Sequence, residues 1–206
     1  GINMEKEDYQ FEVTNLKISV KLPQEVSLEF VDARCKILYP IHRDIICKRG
    51  ANKNILSVRY RNFSYVLFKR RSKRNREGII PPQHCNITKI SCKSDIRDAI
   101  GYLFVIVNQP PVWLNYTIDN YSCTANINQL IDIVKLYINE PKIPCEYNGE
   151  KFPGLKIYCP KEISDRNLTS LVFKSGSVIL VGGNNLDEYK EFFNWVLKIA
   201  RKYPEL

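Results

Sequence analysis

"LTSLVFKSGSVILVGG", residues 168–183, reads as two short strands, 168–173 and 177–182, ending in a glycine pair that turns strand into helix. The residues that follow, "NNLDEYKEFFNWVLKIARKY", carry helix signals. Asn185 and Glu188 stand at capping-box spacing, and Leu186, Tyr189, Phe193, Val196 and Ala200 form one apolar stripe. The preceding stretch, "EKFPGLKIYC" at 150–159, is odder. Pro153 removes a backbone donor and Gly154 a side chain, so the pair marks an abrupt entry into a strand at 155–159. Standing alone, Phe-Pro-Gly is a turn with one core phenylalanine. A larger role requires that the rest of the chain repeat the pattern.

It does. The second half opens with a strand at 114–124 and a helix read from Asn126, with Gln129 at capping-box spacing. The first half runs in the same order. Residues 9–22 alternate, with Leu16, Ile18, Val20 and Leu22 on one face and Asn15, Lys17, Ser19 and Lys21 on the other. A helix is expected next, opened by Pro23, with Val26, Phe30 and Val31 inward. Strands follow at 55–61, 63–68 and 86–91, although Lys89 falls where alternation asks for an apolar residue. The half closes on a helix capped by Ser94, with Ile96, Ile100, Leu103 and Val107 at helical spacing. Asn15 to Phe68 and Asn120 to Phe173 are both intervals of 53 residues. Two repeats, 9–109 and 110–206, therefore predict a pseudo-symmetric α+β fold rather than a solenoid.

Composition narrows the function. The chain has 206 residues, 44% of them hydrophobic, enough for a packed core. Lys+Arg 31 against Asp+Glu 22 gives a net charge of +9, which favours polyanions, nucleic acid before membrane. No apolar run has the length of a membrane span, so no membrane partner is expected. Seven cysteines are scattered without a C-x-x-C pair, which argues against a zinc site or a disulfide framework and for reduced thiols. Five N-x-[ST] sequons, at Asn62, Asn86, Asn115, Asn120 and Asn167, are read mostly as chance in so Asn-rich a chain. His42 and His84 lack companions for catalysis, and no phosphate-binding glycine motif is present. The expectation is a non-enzymatic protein with no cofactor and no metal. Residues 1–3 are read as a cloning scar ahead of a native start at Met4.

"FPGL" at 152–155, "LVFKSG" at 171–176, "VILVGG" at 178–183 and the long helix after them resemble the core domain of the TATA-binding protein family. The resemblance spans roughly residues 9–203 and is densest in the second repeat. It implies a saddle: a curved antiparallel sheet with four helices on its convex side and double-stranded, AT-rich DNA beneath, held by the minor groove. In that family, two phenylalanines per repeat wedge between base steps. They match Phe152 and Phe173 in the second repeat and Phe68 in the first. The partner of Phe68 is missing: Phe152 moved back by 105 positions lands on Cys47, beside Ile45 and Ile46, so the first repeat either uses an aliphatic wedge there or lacks the second wedge.

The family's central asparagines match Asn15 and Asn120. Such amides either donate to A N3 and T O2 or simply stabilise strand ends. The family's late threonines are replaced by Val181 and Ile90, and positions usually apolar hold Lys17 and Ser122, which implies relaxed TATA preference. Ser19, Thr88 and Ile179 complete the implied DNA face. The insertion at 69–84 begins with "KRRSKRNR". Its Lys69, Arg70, Arg71, Lys73, Arg74 and Arg76 read as a solvated tip, phosphate contacts or a nuclear-localisation patch, and the position beside Phe68 favours phosphates. Glu150 matches a family glutamate that meets factor IIB, with Lys151 replacing a neighbouring leucine.

The function expected is therefore a transcription initiation factor that bends promoter DNA and recruits a factor-IIB-like protein and RNA polymerase. The alternative is a protein-interaction module with weak or no TATA specificity. Abundant Ile, Asn and Lys with scarce Ala resemble AT-rich coding DNA of a protist or large DNA virus, hence a nuclear location or a cytoplasmic virus factory.

Overall fold

The computed structural model describes residues 9–206, so the reading of residues 1–3 and Met4 lies outside the described residues. The chain divides into two compact units, one of residues 15–119 and one joining residues 120–206 to the segment before Asn15.

The 15–119 unit contains β1 (Glu12–Lys21, shared with the preceding segment), α1 (Leu28–Leu38), β2 (Ile46–Arg49), β3 (Ile55–Tyr60), β4 (Phe63–Phe68), β5 (His84–Ile90) and α2 (Ile96–Val107). Its strands pair antiparallel in the order β2-β3-β4-β5-β1. The β3–β4 hairpin turns on Arg61 and Asn62, both left-handed (φ 54° and 69°), the backbone a two-residue type I′ loop requires. Leu16, Ile18, Val20 and Leu22 are buried as their alternation predicts. Tyr65 reaches through the same face to donate its hydroxyl to the Ala99 carbonyl of α2 at 2.6 Å.

The helix starts are corrected. α1 begins at Leu28, not Pro23, because Ser27 accepts the Phe30 N–H and Gln83 occupies both backbone groups of Val26. That phase turns Phe30 outward, 45% exposed, while Leu28, Val31 and Cys35 face the core. Ser94 does not cap α2. It sits within a 3-10 turn, Lys93–Asp95, with its hydroxyl 3.0 Å from the Cys92 thiol. The four apolar residues assigned to α2 are all buried.

The second unit repeats the order with β6 (Tyr116–Asn126), α3 (Ile133–Asn139), β7 (Cys145–Glu146), β8 (Leu155–Tyr158), β9 (Thr169–Val172), β10 (Ser177–Gly183) and α4 (Leu186–Ala200). Its strand order is β6-β10-β9-β8-β7, again antiparallel. The early segment joins this unit through Tyr9 and Phe11, whose rings meet Phe193 of α4 at 5.2 and 5.1 Å. Asn126 does not start a helix. Its Oδ1 accepts the Asn128 N–H at 2.7 Å in a turn, and Asp132 caps α3 instead by accepting from Lys135 N–H at 3.0 Å. Asn185 does cap α4, accepting from Asp187 and Glu188. The Glu188 carboxylate, however, accepts from Ser164 at 3.0 Å rather than completing the box.

Tyr189 ties α4 to the sheet. Its buried hydroxyl donates to Tyr121 C=O at 2.6 Å and accepts the Gly183 N–H at 2.8 Å. Burial pushes its phenol up to about 12, so it stays protonated as a donor. Tyr189→Phe strands both backbone groups and is expected to cost about 1–3 kcal/mol. Thermal melting should register this as a drop of roughly 2–4 °C per kcal/mol.

Candidate nucleic-acid interface

In each unit the helices cover one sheet face, and the other carries half-buried or exposed side chains. On the 15–119 unit, register places Ser19, Asn86, Val66 and Ser57 in one row across β1, β5, β4 and β3. A second row holds Thr88, Ser64 and Arg59, with exposed Ile46 of β2 at its end. Lys17 belongs beside Thr88, opposite a bulge. Leu16 pairs with Ile90 and Ile18 with Ile87, so Thr88 and Lys89 together face one residue. Lys89 takes the left-handed backbone of the bulge (φ 62°), which explains why alternation fails there.

The bulge returns Ile90 to the core, fully buried. Ile90 is therefore not on the open face, contrary to expectation. Thr88 is opposite Ser64 as Val181 is opposite Thr169, so repeat one keeps a threonine where repeat two has valine.

The 120–206 unit has the same layout. Thr124, Ile179, Leu171 and Lys156 form a row across β6, β10, β9 and β8, and Val181, Thr169 and Tyr158 form the next. Its bulge is filled by Gly182 (φ 92°) opposite Ser122. A Cβ there would lie 2.6 Å from the Asn167 carbonyl oxygen, so glycine is required twice over.

The Phe-Pro-Gly question has a geometric answer. The rings of Phe152 and Phe173 meet edge-on, centroids 5.8 Å apart at 69°. A Cβ on Gly154 would stand 2.7 Å from the Phe152 ring and 3.1 Å from that of Phe173. Glycine lets the two rings close over the backbone. Phe152 is thus half-buried against its partner rather than freely exposed, and neither ring is in the core.

Phe68 differs. It lies opposite Ile55 and stacks flat on His84, centroids 4.4 Å apart at 18°. Burial and then the Arg71 charge hold the His84 imidazole below its usual range, which favours the neutral ring at pH 7.

Strand register also relocates the partner of Phe68. Gly154 precedes Leu155, the partner of Val172, as Ile55 precedes Leu56, the partner of Leu67. The position two residues earlier is Phe152 in one repeat and Lys53 in the other. Cys47 is not the equivalent residue, because the loops before β3 and β8 differ in length. Its thiol turns to the helix side, 3.5 Å from Asp32 Oδ1 of α1, and Ile45 is buried. Only Ile46 reaches the open face, beside Arg59.

Asn15 and Asn120 are both exposed, and among the described residues neither side-chain amide has a hydrogen-bond partner. Asn15 holds a left-handed backbone (φ 50°), which asparagine tolerates better than most residues. Ser19 is less free. Its hydroxyl lies 2.9 Å from Asn86 Oδ1 and 2.5 Å from Asp119 Oδ2.

The basic insertion folds against the Phe68 end. Arg70 pairs with Glu25 at 3.2 Å, and Arg74 donates to Gly78 C=O at 2.7 Å. Asn75 Oδ1 ties the tip by accepting from the N–H groups of Glu77 and Ile79. With Phe68 and His84, Lys69, Arg70, Arg71, Lys73 and Arg74 line a cavity of about 830 Å³. Glu150 is exposed at the centre of a turn in which Asn148 C=O accepts from Lys151 and Phe152 N–H. Among the described residues no cluster of His, Cys, Asp and Glu is arranged to hold a metal.

Sequence reasoning missed His84, Asn86 and Asp119 as members of this face. Alternation in 84–88 contained the signal for the first two. Nothing local marks the third.

The family model described as "Transcription factor TFIID (or TATA-binding protein, TBP)" matches residues 115–203. A TATA-box-binding protein of Sulfolobus acidocaldarius is 31% identical over 102 residues, 48% of this chain and 47% of that protein. One from Sulfurisphaera tokodaii is 33% identical over 89 residues, 42% of this chain and 40% of its own length. The matched chain thus spans about half or less of these relatives. Among solved structures, Methanococcus jannaschii TBP superposes with a TM-score of 0.67 at 18% identity, covering 93% of this chain and 98% of that one. At that identity the likeness speaks for the fold.

Proposed function

We propose that this chain is a divergent member of the TATA-binding protein family, a transcription initiation factor that grips AT-rich duplex DNA by the minor groove and bends it. The observation that carries the reading is the Phe152–Phe173 pair, two rings outside the core that meet over a glycine where any side chain would push them aside. Minor-groove architectural proteins, of which the TATA-binding protein is a well-studied example, insert such apolar wedges between base steps. Phe68 is the corresponding wedge of the other repeat, braced by His84.

The free amides of Asn15 and Asn120 donate to A N3 and T O2, acceptors that every A·T pair offers in this groove. In the 15–119 unit Lys17 and Thr88 complete the contact face with Asn15, and in the 120–206 unit Ser122, Ile179 and Val181 complete it with Asn120. Compared with a face of apolar residues and threonines, this one discriminates TATA less. Glu150, exposed beside the wedge loop, is the contact for a factor-IIB-like protein, through which RNA polymerase is recruited. The work belongs in a nucleus or a cytoplasmic virus factory.

Gel shift with AT-rich and GC-rich duplexes across a salt series, paired with a bending assay, tests the reading. Expected is a bent complex favouring the AT-rich duplex, with affinity falling steeply as salt rises. Absence of both bend and preference would leave the protein-interaction module as the better account.

A further inference from the structure

Asp119 places an acceptor among the donors of the open face of the 15–119 unit. Ser19 and Asn86 are cross-strand partners there, and the Ser19 hydroxyl lies 2.5 Å from Asp119 Oδ2 and 2.9 Å from Asn86 Oδ1. A hydroxyl has one proton, and the shorter, charge-assisted bond takes it. Ser19 therefore donates to Asp119 and is withheld from DNA. The carboxylate spends one of its roughly four acceptor sites on Ser19 and has no proton to give. With that proton committed to Asp119, the Asn86 amide, 2.9 Å away, satisfies the Ser19 oxygen by donating one N–H to it and retains its second N–H as a free donor.

An A·T pair shows only acceptors in the minor groove, so it offers a carboxylate nothing. A G·C pair adds the guanine 2-amino donor between acceptors. The side-by-side amide and carboxylate match that edge.

Resting on the minor-groove reading above, we propose that Asp119 is a specificity-determining residue that selects one G·C pair within an otherwise AT-rich site, by accepting a hydrogen bond from the guanine 2-amino group. Asn86 donates to a neighbouring base acceptor, and Ser19 positions the carboxylate.

The test uses the full chain and fluorescence anisotropy at fixed salt. One G·C pair is stepped through an AT-rich duplex, and at the preferred position dG is replaced by deoxyinosine, which lacks only the 2-amino group. Wild-type protein should lose about tenfold in affinity on that replacement, the low end for a specific base contact. Asp119→Ala, which removes the acceptor altogether, should bind the two duplexes alike. The proposal is overturned if wild type binds dG and deoxyinosine equally. It is also overturned if Asp119→Ala raises affinity uniformly on every duplex, the mark of a merely repulsive charge. Binding to AT-rich DNA without any amine preference defeats this inference alone, whereas failure to bind any duplex defeats the proposed function with it.

Discussion

Alanine at Phe152 and Phe173 should remove most of the DNA bending while leaving the melting temperature near that of the unaltered protein. Each ring is half-buried, and its chief described aromatic contact is the other ring. The stability at stake is partial apolar burial plus about 0.5–1.5 kcal/mol for an aromatic pair. Phe192 and Phe193 of α4, both fully buried, set the contrast. Alanine at either is expected to cost about 3–5 kcal/mol.

On DNA the order reverses. Unstacking a base step costs a few kcal/mol, recovered when a ring enters the gap, so a wedge-less protein has no means of holding the kink. Phe68→Ala should bend less than wild type but more than the double variant, because Phe68 is already stacked on His84 and Ile55 remains opposite it. Melting curves and a bending assay on the same proteins decide the matter. If Phe152→Ala melts as early as Phe192→Ala while its folded fraction bends DNA normally, Phe-Pro-Gly is a turn with a structural phenylalanine and no wedge.

What the sequence made legible was periodicity, and it failed where backbone geometry broke the period. Alternation placed Leu16, Ile18 and Val20 inward because nothing interrupts β1 there. It misjudged Ile90, since one left-handed residue, Lys89, reverses every side chain beyond it. In repeat two the same bulge was announced by Gly182, which only looked like a turn. Helix starts slipped for a related reason. Asn, Ser and Asp bond nearby backbone in several ways, and Asn126 serves a turn while Asp132, six residues on, serves the cap. The fixed offset of 105 found Phe173 from Phe68 but carried Phe152 to Cys47, because loops change length where strands cannot. Asp119 was invisible for a deeper reason. Its meaning lies in a hydroxyl a hundred residues away, and only the fold brings Ser19 to it.

Serine at Lys69, Arg71, Lys73 and Arg76 is expected to flatten the salt dependence of DNA binding more than any other surface change. These four are chosen because Arg70 and Arg74 hold the loop together through Glu25 and Gly78. Among the described residues, the chosen four enter no ion pair. Their charges are therefore available to phosphates, and three of them lie on the cavity that opens beside Phe68. Each phosphate left without its cation should reduce the slope of log affinity against log salt by about 0.9. If all four side chains touch phosphate, the slope falls by about 3.6, and affinity at low salt drops by orders of magnitude while it changes little at high salt. Base preference should persist, because phosphate contacts position a protein without reading sequence. An unchanged slope would assign the insertion to transport or to a protein partner. The segment would then sit next to the wedge only because the β4–β5 connection has nowhere else to go.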